Sequence, residues 1–174
     1  MTQQSDKILG EDTAGVNQIL PHTNKWAWDL YKLGKNNNWT PEEVPMVKDV
    51  QNWKKTDVLV MMNVCLWRSL GFFAGSESLV GNNLFTLFMY VTDPECRQYM
   101  ARQMYEECLH NDTIVYMCDS LDLDINEVYQ AYETIPSIKA KDEFLMSVTR
   151  DLSTNPVNSQ TPEGVREIIK AAFI

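Results

Sequence analysis

After Thr56 the sequence sets its residues at helical spacing along one side, and this pattern limits the fold more than any other feature. Leu59, Asn63, Leu66, Leu70, Phe73 and Glu77 follow one another at intervals of 4, 3, 4, 3 and 4, which puts them on one stripe of a helix. The stripe is apolar except for Asn63 and Glu77. A later segment behaves the same way: Gln103, Glu107, His110, Ile114 and Met117 recur at 4, 3, 4 and 3. No alternating Val, Ile and Thr runs bounded by hairpin turns occur, so strands are not expected. The expected class is all-α, with long helices and short connections that favour an antiparallel bundle.

The caps mark where these helices begin. NKWAWDLYKLGKNNN reads as a first helix that stops before Trp39. Thr40, Pro41 and Glu43 form a start signal, with Thr as N-cap, Pro at the first helical position and Glu43 closing a capping box. Thr56 caps the helix that runs through Val80. Asp93-Pro94-Glu95 starts the next, with an acidic first turn suited to the helix dipole, and that helix reaches about Ser120. Residues 122–135 and 137–153 give two more, separated around Pro136. Thr161-Pro162 opens a last helix whose apolar face (Val165, Ile168, Ile169, Ala172, Phe173) is still apolar at Ile174, which suggests a missing continuation. Residues 1–20 are expected to be a polar lead-in, and residues 21–174 one helical domain.

Composition closes off several functions. Fifteen basic against 24 acidic residues give a net charge of −9, with no basic run, which argues against nucleic acid or an anionic lipid surface as a partner. No apolar stretch is a clean membrane span, because Asn63, Arg68, Glu77 and Asn82 interrupt the longest ones. Cys65, Cys96, Cys108 and Cys118 form no CxxC pair, and the first residues carry no secretory signal. A soluble cytoplasmic protein with reduced thiols is expected. Only two histidines are present, His22 and His110, so a site needing two neighbouring imidazoles is hard to build.

The chemistry lies in the two stripes. An ionised carboxylate on an apolar face is costly unless it is paired, hydrogen-bonded or bound to a metal. In Glu107-x-x-His110 the two side chains project from the same side and can reach one ion, while Glu107 bridges to a second. Bundles with dinuclear carboxylate centres use a Glu from each of two helices and a Glu-x-x-His from each of the other two. Glu77 and Glu107-x-x-His110 make half of that set. The same residues also read as a surface ion pair at 107 and 110, with Glu77 a rim residue paired to Arg68 or Arg97. Taken alone, they leave both readings open.

SLGFFAGSESLVGNNL, PECRQYMARQMYEECLH and IPSIKAKDEF together resemble the small (β) subunit of class I ribonucleotide reductase, nearest to its manganese/iron branch. NNNWTPEEVPMVKD resembles the W-x-P-E-E-V element of that family, and the likeness covers about residues 24–174. It implies a ferritin-like helical bundle with a dinuclear Mn/Fe or Fe/Fe centre. It also implies metal ligation by Glu77, Glu107 (bridging) and His110, and an electron relay through Trp39. Trp26, Trp28, Trp53 and Trp67 are assigned to packing, and Tyr116, six residues from His110, points off the ligand stripe. Ile114 lies where radical-bearing members have Tyr and the Mn/Fe branch Phe. An isoleucine holds no stable radical, so the oxidising equivalent would rest on the metals.

The resemblance further implies three more ligands and a docking tail after residue 174, so the bundle is expected to be incomplete at its C-terminus. The expected activity is that of the N-terminal portion of a ribonucleoside-diphosphate reductase small subunit. Expected partners are the large (α) subunit, a C-terminal small-subunit segment or a second copy, and the intact family would form a homodimer. The chain alone is expected to be inactive. The alternatives are a catalytically silent helical remnant or interaction module, with the last helix's apolar face driving association, and another di-metal carboxylate protein. In a dimer each copy would supply one Glu and one Glu-x-x-His, although the family's two halves differ in helix length.

Overall fold

The computed structural model describes residues 7–10, 15–54 and 59–173, without the side chains of residues 59–63, 150 and 151. Leu59, Asn63 and the Thr56 cap therefore lie outside the described side chains. Among the described residues eight α-helices follow in order: α1 Lys25–Asn36, α2 Val47–Trp53, α3 Leu59–Phe88, α4 Pro94–Leu121, α5 Ile125–Tyr129, α6 Ala131–Thr134, α7 Pro136–Thr154 and α8 Pro162–Ala172. No strand occurs among the described residues, and no described helix is long and apolar enough to cross a membrane.

Local chemistry explains most of the boundaries. The Cys96 N–H donates to Asp93 Oδ1 at 2.7 Å, and the Gly164 N–H to Thr161 Oγ1 at 3.1 Å, so both expected N-caps are made. The end of α4 uses no glycine. Asp122 takes φ 56°, the Leu123 N–H bonds Cys118 O at 3.0 Å and the Asp122 N–H bonds Asp119 O at 3.4 Å. This is a Schellman stop built on aspartate, which tolerates the left-handed region better than most residues. The Thr40 signal yields only a single 3₁₀ turn, Pro41–Glu43, although the Glu43 carboxylate accepts the Thr40 N–H at 3.1 Å. Pro45 forces Val44 out of the helical region, so α2 has to start afresh. Residues 122–135 form two short helices in place of one.

The chain divides into two compact units, one of residues 39–80 and 107–145, the other of residues up to 38, 81–106 and from 146. In the first, Leu70 and Ala74 of α3 meet Ile114 and Cys118 of α4 and Val128 of α5. Full burial of a Leu, Ile or Val contributes about 1.5–3 kcal/mol each, so these facing stripes hold the unit together. At Gly71 the approach is too close for any side chain: a Cβ there would lie 2.3 Å from the Ala131 Cβ.

In the second unit the apolar face of the last helix is covered in part: Ile168 is buried, with Ala171 beside it, against Leu87 and Leu152. The Asn83 side-chain amide also donates to Ala171 O at 2.8 Å. Ile169, Ala172 and Phe173 are the residues of that face left exposed. Glu95, in the acidic first turn of α4, is fully buried. Its carboxylate accepts the backbone N–H groups of Thr23 and Asn24, the Thr23 hydroxyl at 3.2 Å and the His22 imidazole. Asp93 adds a bond from the Asn24 side chain at 2.9 Å. The start of α4 thus anchors the loop that leads into α1. Burial is the strongest single influence on Glu95 and pushes its pKa up. The Asn24 and Thr23 N–H groups, with the His22 and Thr23 side chains, outweigh it and hold the pKa below its ordinary value.

Replacing Glu95 by Ala leaves two backbone N–H groups without their acceptor, at a cost of about 2–5 kcal/mol, measurable by urea denaturation at pH 7. The contribution of a carboxylate with a lowered pKa is present above its unfolded value and lost as pH falls through the folded one. The wild-type chain should therefore lose stability as it is acidified below 4.5, the ordinary value. Glu95→Gln should lack that part of the loss, and an identical acid profile in both proteins would refute the assignment.

Candidate metal centre

Glu77 is carried by α3 and Glu107 and His110 by α4, all within the unit formed by residues 39–80 and 107–145. The His110 Nδ1 lies 3.0 Å from Glu77 Oε2 and 3.3 Å from Glu107 Oε2. One donor atom from each of the three residues falls within 4.8 Å of the others. The surface-pair reading does not describe this arrangement: Glu107 is buried, and Glu77 meets His110. Arg97 is engaged elsewhere, its Nε donating to Val91 O and its guanidinium lying over the Phe88 ring.

The electrostatics follow from bringing two carboxylates together out of water. Burial pushes Glu107 up most, followed by the hydrogen bond to Glu77 and then the Glu77 charge, and His110 offsets only part of this. Its pKa rises to about 7. Burial works against the charged form of His110, but the hydrogen bonds and charges of Glu77 and Glu107 outweigh it and raise the pKa. Glu107 and His110 thus hold their protons more tightly than free groups do. Two carboxylates and an imidazole brought together in this way suit a divalent cation, which would neutralise the charge that burial penalises.

Beside the three residues is a cavity of about 250 Å³, walled by Trp39, Leu66, Leu70, Phe73, Ile114 and Met117, with Ser69, Thr113, Glu77 and His110 completing it. Trp39, which the sequence singled out, stacks at a tilt on the His110 ring, with centroids 6.3 Å apart. Ile114 is buried in the wall. The Tyr116 hydroxyl donates to Val44 O at 2.9 Å, off the ligand stripe. Of the tryptophans assigned to packing, Trp67 joins the core with Leu70 and Ile114. Trp26 departs from that assignment: it is half exposed, with its indole N–H on the Asn24 side chain. No sequence pattern signals the cavity, since helical spacing shows which residues face inward but not how far apart the facing walls stand.

Known proteins resemble this chain in sequence and in fold. The matching family profile is that of ribonucleotide reductase, small chain, over residues 16–174. The ribonucleoside-diphosphate reductase subunit beta of Chlamydia pneumoniae is 44% identical over 156 residues, which are 89% of this chain and 45% of that protein. The ribonucleoside-diphosphate reductase small chain of Spisula solidissima is 30% identical, over 88% of this chain and 40% of its own. The chain spans less than half the length of these curated relatives. Among solved structures, the ribonucleotide reductase R2 subunit from Clostridium botulinum superposes with a TM-score of 0.73 at 19% identity. That match covers 84% of this chain and 44% of the other, and it shows the fold, an all-α ferritin-like one.

The raised pKa of Glu107 makes a prediction for the metal-free chain. Between 4.5 and about 7 the folded state holds a proton that the unfolded chain has released. The resulting stability is full below 4.5 and lost as pH rises through about 7. Glu107→Gln keeps the shape without the charge. It should be more stable than wild type at pH 8 by on the order of 1–3 kcal/mol and nearly equal at pH 5. Urea unfolding at the two pH values measures both, and equal pH dependence in the two proteins would rule this account out.

Proposed function

Because the chain belongs to the family of ribonucleotide reductase small chains, we propose that Glu77, Glu107 and His110 are half of the ligand set of a dinuclear metal centre. The activity proposed for the intact protein is that of a ribonucleoside-diphosphate reductase small subunit, which generates the oxidant used to reduce ribonucleotides to deoxyribonucleotides. The observation that carries this reading is the convergence of two carboxylates and an imidazole within 4.8 Å on otherwise apolar helix faces.

Each residue then has a distinct task. Glu107, on the inner side of the stripe, would be the ligand shared between the ions, and Glu77 and His110 would hold one of them. Glu107 and His110 release their protons as the site fills. When bound, the Mn/Fe or Fe/Fe pair supplies the oxidising equivalent. Ile114 and the surrounding aliphatic wall keep water from the ligands. Trp39, against the His110 ring, is the proposed electron relay toward the large subunit. The other ligands of the proposed centre lie outside these 174 residues, which by themselves are silent in nucleotide reduction.

Equilibrium dialysis with Mn(II) and Fe(II) tests the half-site. One ion per chain is expected at pH 8, with affinity falling at least about tenfold by pH 6 as Glu107 and His110 take up protons. Glu77→Gln and His110→Ala should each weaken binding by about 10–100-fold. A silent helical module predicts no such ion, and binding indifferent to both substitutions would overturn the ligand assignment.

A further inference from the structure

We propose that Tyr116 is a positioning residue: its hydroxyl, bonded to the Val44 carbonyl, holds the turn that carries Trp39 and so keeps the indole against His110. The role rests on the reading of Trp39 as the electron relay. Turn, indole and both α4 residues belong to the unit formed by residues 39–80 and 107–145. The turn is stiff. The rings of Pro41 and Pro45 fix φ at two positions. The Glu43 N–H bonds Thr40 O and the Val44 N–H bonds Pro41 O, both at 3.1 Å. The Glu43 carboxylate closes the start by accepting the Thr40 N–H. A turn braced in this way moves as one body, so a displacement at Val44 is passed back to Trp39.

Pro41 is buried, whereas Glu42, Glu43, Val44 and Pro45 are exposed, so packing falls off along the turn. Val44 is 59% exposed, and its carbonyl accepts the Tyr116 hydroxyl at 2.9 Å. The turn therefore meets α4 at two points, Trp39 at the His110 ring with centroids 6.3 Å apart and Val44 at Tyr116. Those two residues of α4 stand six positions apart, a rise of about 9 Å along the helix. They also face different sides of it, so a swing of the turn about one point is resisted at the other. A phenyl ring without the hydroxyl would still cover the helix but would offer the carbonyl no donor. One hydrogen bond between neutral groups near solvent contributes little to global stability. Its effect is expected in the seat of the indole and not in the unfolding midpoint.

Relaxation-dispersion fluorine NMR of the metal-free full chain, carrying fluorotryptophan, measures the population of an unseated Trp39, whose signal is assigned by its loss in Trp39→Phe. In Tyr116→Phe that population should rise about two- to tenfold, the equivalent of one neutral hydrogen bond. Replacing Tyr116 by aminophenylalanine, which keeps a donor at the ring tip, should bring it back toward wild type. Trp28, against His22 in the other unit, should be unmoved in both variants. An unseated population unchanged in Tyr116→Phe, or raised alike in the aminophenylalanine variant, would overturn the proposal. So would a rise that Trp28 shares. No metal and no electron transfer enter the measurement, so a null result counts against Tyr116, whereas failure of the relay reading leaves the Tyr116→Phe effect in place.

Discussion

Two carboxylates held against one imidazole on otherwise apolar helix faces set the terms for the unit that contains them. Glu77 and Glu107 repel each other where water cannot screen them well, and His110 compensates only in part. Such a cluster persists only if the rest of the unit keeps its carriers in place. The Leu70, Ala74, Ile114 and Cys118 seam does this between α3 and α4, and the side-chain-free contact at Gly71 seats α3 on α6. Stability is given up at the cluster and recovered in the seam, as is common where a site is built for something other than folding.

The chain's two histidines make the point by contrast. Each meets a buried glutamate, yet the electrostatics run in opposite directions. Glu95 is surrounded by donors, two backbone N–H groups, a hydroxyl and His22, and its carboxylate is stabilised in the charged form. Glu107 has another carboxylate as its close neighbour and is driven toward the neutral form. The first arrangement is closed, since its donors already do what a cation would do. The second lacks positive charge, and for that reason it is the one that reads as a ligand set.

Much of this was legible in the sequence. The all-α class, the Asp93 and Thr161 caps and the grouping of Glu77 with Glu107 and His110 all rest on spacing along single helices, which the chain specifies locally. What escaped depends on contacts between distant segments. The burial of Glu95 depends on partners more than 70 positions earlier. Nothing local records that Leu87 and Leu152 cover Ile168 on one side of α8. Trp26 looked like core because aromatic residues usually are. At Thr40 the cap was read correctly, but the veto from Pro45 five residues later was not weighed against it.

The Ser69 hydroxyl donates to Cys65 O and the Thr113 hydroxyl to Leu109 O, so neither dipole is free to turn toward a new charge beside Trp39. Across the 6.3 Å between the Trp39 and His110 rings, a unit charge acts with about 3 kcal/mol at an effective dielectric of about 20, against less than about 1 kcal/mol in water. A proton on the imidazole would therefore make the indole beside it harder to oxidise.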